Sequence, residues 1–134
     1  MVDKPDRVDL KTINHVLTVV KDVKKSMEFY CGLLGFKHIQ SMVDNPDITW
    51  LQLPSGAMLH LHETDTAPVK PDNVHNAFEA ADFDSAKQTL DKIGVSIERS
   101  GTRNDGQRFM FIRDPDGNLL EFMTYPVRGD TDSD

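Results

Sequence analysis

The 134-residue chain is 38% hydrophobic and 28% charged, the composition of one globular domain that can bury a core without disulfides or a structural metal. A net charge of −7 without a basic stripe argues against nucleic acid and anionic membrane surfaces as partners. The single cysteine, Cys31, excludes an intramolecular disulfide and suits a reducing cytoplasm, where the chain is expected. No apolar run reaches the ~18 residues of a membrane span, and the opening MVDKPDRVD lacks the apolar stretch of a signal peptide.

In chain order, residues 12–20 are β-rich and end at Lys21-Asp22. Over residues 23–34 the apolar positions Val23, Met27, Tyr30, Leu33 and Leu34 mark one face of a helix, with Gly35 as its left-handed end. Cys31 lies within this helix and reads as a small buried hydrophobe. Residues 36–43 read as a strand, and 48–53 with 57–62 as a hairpin around Pro54-Ser55-Gly56. A polar linker with two prolines leads to a strand at 73–81. Asp82 or Asp84 then caps a helix with apolar positions Phe83, Ala86, Leu90 and Ile93, ending at Gly94. A strand at 95–99, a glycine-containing loop at 100–106 and a hairpin of 108–113 with 118–124 complete the fold. Asp114-Pro115-Asp116-Gly117 is the hairpin turn.

The two halves share this punctuation. With His15 set on His75, Asp22 falls on Asp82 and Leu34-Gly35-Phe36 on Ile93-Gly94-Val95. Further on, Pro54-Ser55-Gly56 sits over Pro115-Asp116-Gly117, and Leu59-His60-Leu61 over Leu120-Glu121-Phe122. The expectation is an α+β fold of two βαβββ modules, 10–63 and 72–126, within one domain spanning 10–126. Residues 127–134 are expected to be a disordered acidic tail.

The repeat gathers scattered polar residues into a constellation. His15 and His75 occupy the same place on the first strand of each half, and His60 and Glu121 the same place on the last. Side chains alternate along a strand. Leu59 and Leu61 should therefore pack beneath a helix and leave Met58, His60 and His62 on the other face; Leu120 and Phe122 should likewise leave Leu119, Glu121 and Met123 opposite. Three imidazoles and a carboxylate suit a divalent first-row metal. A carboxylate among apolar neighbours needs a partner, which a metal or an arginine supplies. His62 lies one pleat from His60 and is either a replacement ligand or a pocket acid/base. His38 has no repeat partner and reads as a surface residue. Trp50 and Phe111 are repeat-related; they pack in the core or, with Met123 and Arg108, line a substrate pocket.

The segments INHVLTVVKDVKKSMEFYCGLLGFKHI and FIRDPDGNLLEF resemble the opening and closing segments of the glyoxalase/bleomycin-resistance/extradiol-dioxygenase superfamily, the vicinal oxygen chelate proteins. The resemblance covers residues 12–125. It implies two βαβββ modules forming an open, barrel-like sheet around a metal cleft. Carried over, the ligands are His15, His60, His75 and Glu121, holding a divalent ion (Ni, Co, Zn, Mn or Fe) that chelates vicinal substrate oxygens. Glu121 would double as a proton-shuttling base, with His62 or Glu63 assisting as an acid/base.

The resemblance also orders the branches. Extradiol dioxygenases and fosfomycin thiol transferases resemble a two-His, one-Glu pattern that would leave His60 idle. Lactoylglutathione lyases and coenzyme A-linked epimerases fill four positions, so His60 points toward lyase or isomerase chemistry on a small 2-oxo or 2-hydroxy compound or its thiol adduct. The lyases usually carry Glu or Gln at the position of His60, Arg at that of Val19 and Asn at that of Thr64; those departures put glutathione in doubt. The rivals are a non-haem Fe(II) dioxygenase, a drug- or metabolite-binding protein without catalysis, and a thiol transferase. For the last, Arg99, Arg103 and Arg108 are the only basic candidates. A homodimer acting on a small molecule is the expected assembly, with the modules pairing within one chain or swapped between two.

Overall fold

The computed structural model describes residues 7–66 and 70–124. The expected tail at 127–134 and part of the linker between the modules lie outside them. Strand β1 (His15–Val20) leads into helix α1 (Val23–Met27), followed by β2 (Lys37–Ile39), β3 (Ile48–Gln52) and β4 (Met58–Glu63). The second half repeats the order with β5 (His75–Glu79), α2 (Phe83–Ile93), β6 (Arg99–Thr102), β7 (Arg108–Arg113) and β8 (Leu119–Met123). The sheets have orders β1-β4-β3-β2 and β5-β8-β7-β6, so they share one topology. This is the expected pair of βαβββ modules, arranged as open sheets rather than a closed barrel.

Local chemistry sets the boundaries. Asp22 caps α1 by accepting from the amides of Lys24 and Lys25, and Asp82 caps α2 by accepting from Ser85. Gly94 ends α2 in the left-handed region, at φ 80°. The first helix departs from the expected regular α-helix over residues 23–34. Beyond Met27 it widens into π-type turns over Glu28–Leu33, where the Leu34 amide bonds the Phe29 carbonyl at 3.1 Å.

Two expected strands are corrected. The strand at 36–43 shrinks to Lys37–Ile39, because the Ser41 hydroxyl bonds the amide and carbonyl of Val43 and competes with the ladder. The strand at 95–99 is displaced to Arg99–Thr102. Val95 and Ile97 instead pack against the core in an extended link, and ladder pairing to β7 starts at Arg99 opposite Phe111.

A single core holds both modules. Leu59 and Leu61 from β4 join Met110 and Ile112 from β7, Leu120 and Phe122 from β8, and Leu90 from α2. The modules meet along their β1 and β5 edges. There the Asn76 Nδ2 donates to Thr18 Oγ1 at 3.1 Å and the Asn118 Nδ2 donates to the Val19 carbonyl at 3.2 Å. Tyr30, fully buried, reaches across to the β7–β8 turn and donates its hydroxyl to Asp114 Oδ2 at 2.7 Å.

Candidate functional site

Strand register carries the pseudosymmetry to the site. In the first module His15 pairs with Met58, and His60 stands two residues further along β4. In the second, His75 pairs with Leu119, and Glu121 stands two residues further along β8. Across the neighbouring antiparallel pairs, Trp50 lies opposite His60 and Phe111 opposite Glu121. Leu59, Leu61 and Leu120 are almost wholly buried under the helices. Alternation therefore turns His60 and Glu121 to the other face of each sheet.

The first pair is a ring stack. His60 is sandwiched between His15, 4.0 Å away with an interplanar angle of 16°, and Trp50, 4.5 Å away at 10°. Burial, and secondarily the charge of His15, lowers the His60 pKa, which favours the neutral ring. Its Nε2 is buried without a hydrogen-bond partner, as is Trp50 Nε1. The His15 Nδ1 lies 2.8 Å from Asn14 Oδ1. An oxygen acceptor requires the proton on Nδ1, and in the neutral ring Nε2 then carries the lone pair.

The second pair follows the same logic. The His75 Nδ1 is 2.8 Å from the Asn73 carbonyl, and its Nε2 is 3.3 Å from Glu121 Oε1. Glu121 is 4% exposed, and its other oxygen accepts from Arg103 Nη2 at 2.7 Å. Arginine thus supplies the partner that this buried carboxylate requires. The Arg103 Nη1 donates to Gln107 Oε1, and its guanidinium lies 4.2 Å over the Phe109 ring. Gly101, opposite Phe109 in the ladder, leaves that ring its space: a Cβ there would stand 3.1 Å from Phe109 Cζ.

The structure brings His15 to His60 and His75 to Glu121, but does not gather three or four candidate ligands at one point. Among the described residues, no group of three His, Cys, Asp or Glu side chains is placed to hold an ion. Of the two arrangements that the sequence leaves open, pairing within one chain or swapping between two, the described residues do not show the first. The reason is the edge-to-edge junction at β1 and β5: each module carries its own half-set on its own sheet.

The other candidates divide. His62 lies on the site face one pleat beyond His60, opposite Ile48. Phe111 packs edge-on to His75, with centroids 5.2 Å apart, and Met123 Sδ accepts from Gln107 Nε2, so both belong to the second half-set. Arg108 does not. It lies on the helix-covered face, bonded to Asp84 at 2.7 Å and stacked over Phe83. Glu63 is also displaced from the chemistry, since its carboxylate accepts from the Val23 amide at the start of α1. His38, opposite Leu51, is exposed. Sequence reasoning named Arg99 and Arg103 only as basic candidates for a thiol transferase and did not foresee the bond of Arg103 to Glu121 or the stacking of Arg99 on Phe111. With the ladder beginning at Arg99, the positions Arg99, Gly101 and Arg103 alternate toward the face of Glu121.

The model of the Glyoxalase/Bleomycin resistance protein/Dioxygenase superfamily matches residues 12–122. The chain belongs to this superfamily. Among its relatives, YwkD of Bacillus subtilis is 33% identical over 122 residues, covering 84% of this chain and 95% of YwkD. The glutathione transferase FosA of Serratia marcescens is 32% identical over 120 residues, covering 84% of this chain and 79% of FosA. A glyoxalase family protein from Bacillus anthracis shares the fold with a TM-score of 0.77 at 22% identity, covering 90% of this chain and 99% of that one. The superfamily includes metal-dependent enzymes acting on small molecules. Among the described residues, no helix is long and apolar enough to cross a membrane.

Whether the residues suit a divalent ion is a question of donors. Hydrogen bonding at Nδ1 orients the rings of His15 and His75 as a second shell orients imidazole ligands, and in the neutral ring it turns the Nε2 lone pair outward; His75 Nε2 also stands within ion-pair distance of Glu121. His60 adds a buried Nε2 that no protein group satisfies. Glu121 adds an anionic oxygen 3.3 Å from His75 Nε2. This donor set fits a borderline-soft divalent ion.

Proposed function

We propose that this chain is a metal-dependent enzyme of the glyoxalase type, performing lyase or isomerase chemistry on a small 2-oxo or 2-hydroxy compound or its thiol adduct. The observation that carries the reading is the equivalent placement of His15 and His60 with His75 and Glu121, together with the unsatisfied Nε2 of His60. These four side chains would hold the ion, the two half-sets coming from two copies of the chain in a homodimer. When bound, the ion supplies Lewis-acid stabilisation of negative charge developing on vicinal substrate oxygens. Glu121 would take and return a proton, with Arg103 holding its second oxygen. The stack of Trp50 on His60 fixes that imidazole and excludes water from it. His62, one pleat away, would assist as an acid/base.

Thiol transfer is the second reading, supported by the likeness to a glutathione transferase. The test is metal analysis of the purified protein combined with assays on a hemithioacetal, a catechol and fosfomycin with added thiol. Turnover of the hemithioacetal with Ni, Co or Zn is expected. Oxygen-dependent catechol cleavage with Fe(II) would contradict the reading, and turnover of fosfomycin alone would transfer it to the second.

A further inference from the structure

The two ends of the junction between the modules are not alike. At one end α1 is tied to the β7–β8 turn: the Tyr30 hydroxyl donates to Asp114 Oδ2 at 2.7 Å and the Ser26 hydroxyl to Asp116 Oδ2 at 3.4 Å. The repeat sets Ser26 and Tyr30 on Ala86 and Leu90 of α2, and Asp114 and Asp116 on Leu53 and Ser55 of the β3–β4 turn. Leu90 with Leu53, or Ala86 with Ser55, cannot form the equivalent side-chain bonds. Ser26 is fully buried, whereas Ala86 is only half-buried. A cavity of about 560 Å³ opens there between α2 and the β3–β4 turn, walled chiefly by Leu53, Pro54, Phe78, Ala86, Leu90 and Phe122.

An apolar arm begins beside this cavity. Residues 7–14 form neither helix nor strand, and the arm joins β1 at Asn14, whose carbonyl accepts from the amide of Met58, four residues beyond Pro54. Val8, Leu10 and Ile13 are 82%, 86% and 77% exposed, and of the described large apolar side chains only Met42 is as bare. No residue of the arm lines the cavity of its own chain, although the arm starts next to the wall. Val8 and Leu10 alternate and so share one face of an extended segment. Arm and cavity each leave apolar surface in water, which seating one in the other removes. Their charges are complementary: among the described residues neither Lys11 on the arm nor Glu79 on the cavity wall has an ion-pair partner.

We propose that the arm of one copy, residues 7–13, seats in this cavity of a second copy, with Val8 and Leu10 against the apolar wall and Lys11 toward Glu79. Each copy has one arm and one cavity, so the exchange is reciprocal and closes as a two-fold pair. The six residues from Asn14 back to Val8 span up to about 20 Å, enough to cross onto a partner. Seating the arm also steadies Asn14, whose Oδ1 lies 2.8 Å from His15 Nδ1, and thereby ties the first histidine to the pairing. This rests on the reading of the chain as a homodimer and names a contact that holds it.

The test is sedimentation equilibrium of the full-length protein, of Leu10→Asp and, as a control that alters an equally exposed side chain away from the arm, of Met42→Asp. The parent and Met42→Asp are expected to share one dimer dissociation constant, and Leu10→Asp to raise it tenfold or more. A thiol pair then locates the seat. Leu10→Cys and Ala86→Cys, each in a Cys31→Ser background, are mixed and oxidised with diamide, and a disulfide joining one chain of each kind is expected. The same two substitutions placed in one chain should also give covalent two-chain products. A closed single chain instead would put the arm in its own cavity and overturn the exchange, as would the absence of any disulfide between the two introduced thiols. Equal pairing of Leu10→Asp and the parent would overturn the exchange and leave the shared metal centre standing; a parent that stays monomeric would overturn both.

Discussion

Alanine in place of Glu121 is expected to weaken divalent-ion binding by roughly 100-fold or more, since even outer-shell partners of metal ligands are worth 10–100-fold. Activity should fall with it. The fold should survive: Arg103, the group left without its anion, has 39% of its side chain exposed and water can solvate it. His60→Ala should weaken binding to a similar degree. The substitution removes a Nε2 that no protein group satisfies and frees one face of Trp50. His62→Ala should leave metal affinity nearly intact and mainly alter activity. Metal titration of the three variants checks the ranking. Equal affinity in His60→Ala and the parent would remove the main support for the isomerase-like branch and favour a triad of His15, His75 and Glu121.

Asp114→Ala should produce the largest loss of stability in the molecule, about 3–5 kcal/mol by denaturant unfolding. Asp114 is 5% exposed and accepts four hydrogen bonds: from the Tyr30 hydroxyl, from the amides of Asp116 and Asn118, and from Asn118 Nδ2. Its loss strands the buried Tyr30 hydroxyl and unpicks the turn that sets the β8 register, on which the placement of Glu121 depends. Tyr30→Phe is milder, about 1.5–3 kcal/mol for one bond to a charged group, because the other three donors still satisfy Asp114. Burial first, and the Asp114 charge second, push the Tyr30 phenol above its ordinary pKa. Above pH ~10 the unfolded chain therefore loses that proton more readily than the folded one, and stability falls as pH rises. Tyr30→Phe should flatten this alkaline slope.

The parts of the fold that read from sequence are those in which several local signals coincide. Asp22 and Asp82 before apolar periodicity, and Gly35 and Gly94 after it, mark the helix ends by chemistry that needs no tertiary contact. The alternation around His60 and Glu121 is legible because Leu59, Leu61, Leu120 and Phe122 leave one side of each strand no choice of face. Where a pattern has two physical causes, the sequence misleads. Val95 and Ile97 alternate like a strand but serve as an apolar link, and the resulting displacement of β6 hid which face Arg99 and Arg103 take. Arg108 likewise reads as a pocket cation. Its position beside Met110 and Ile112 assigns it to the helix face, where Asp84 and Phe83 hold it. No local pattern reveals that the half-sets sit on separate sheets, because that follows from how β1 and β5 meet.

The account turns on the two half-sets completing one metal centre between copies, and mixed-subunit complementation measures this directly. A His15→Ala/His60→Ala variant and a His75→Ala/Glu121→Ala variant should each be unable to retain a divalent ion. After the two are mixed and allowed to exchange subunits, random pairing should restore up to about a quarter of the parental sites, since each mixed dimer carries one intact centre. Mixed dimers that form yet restore no metal binding would contradict the shared site, and retention of the parental ion by both double variants alone would contradict the ligand set itself.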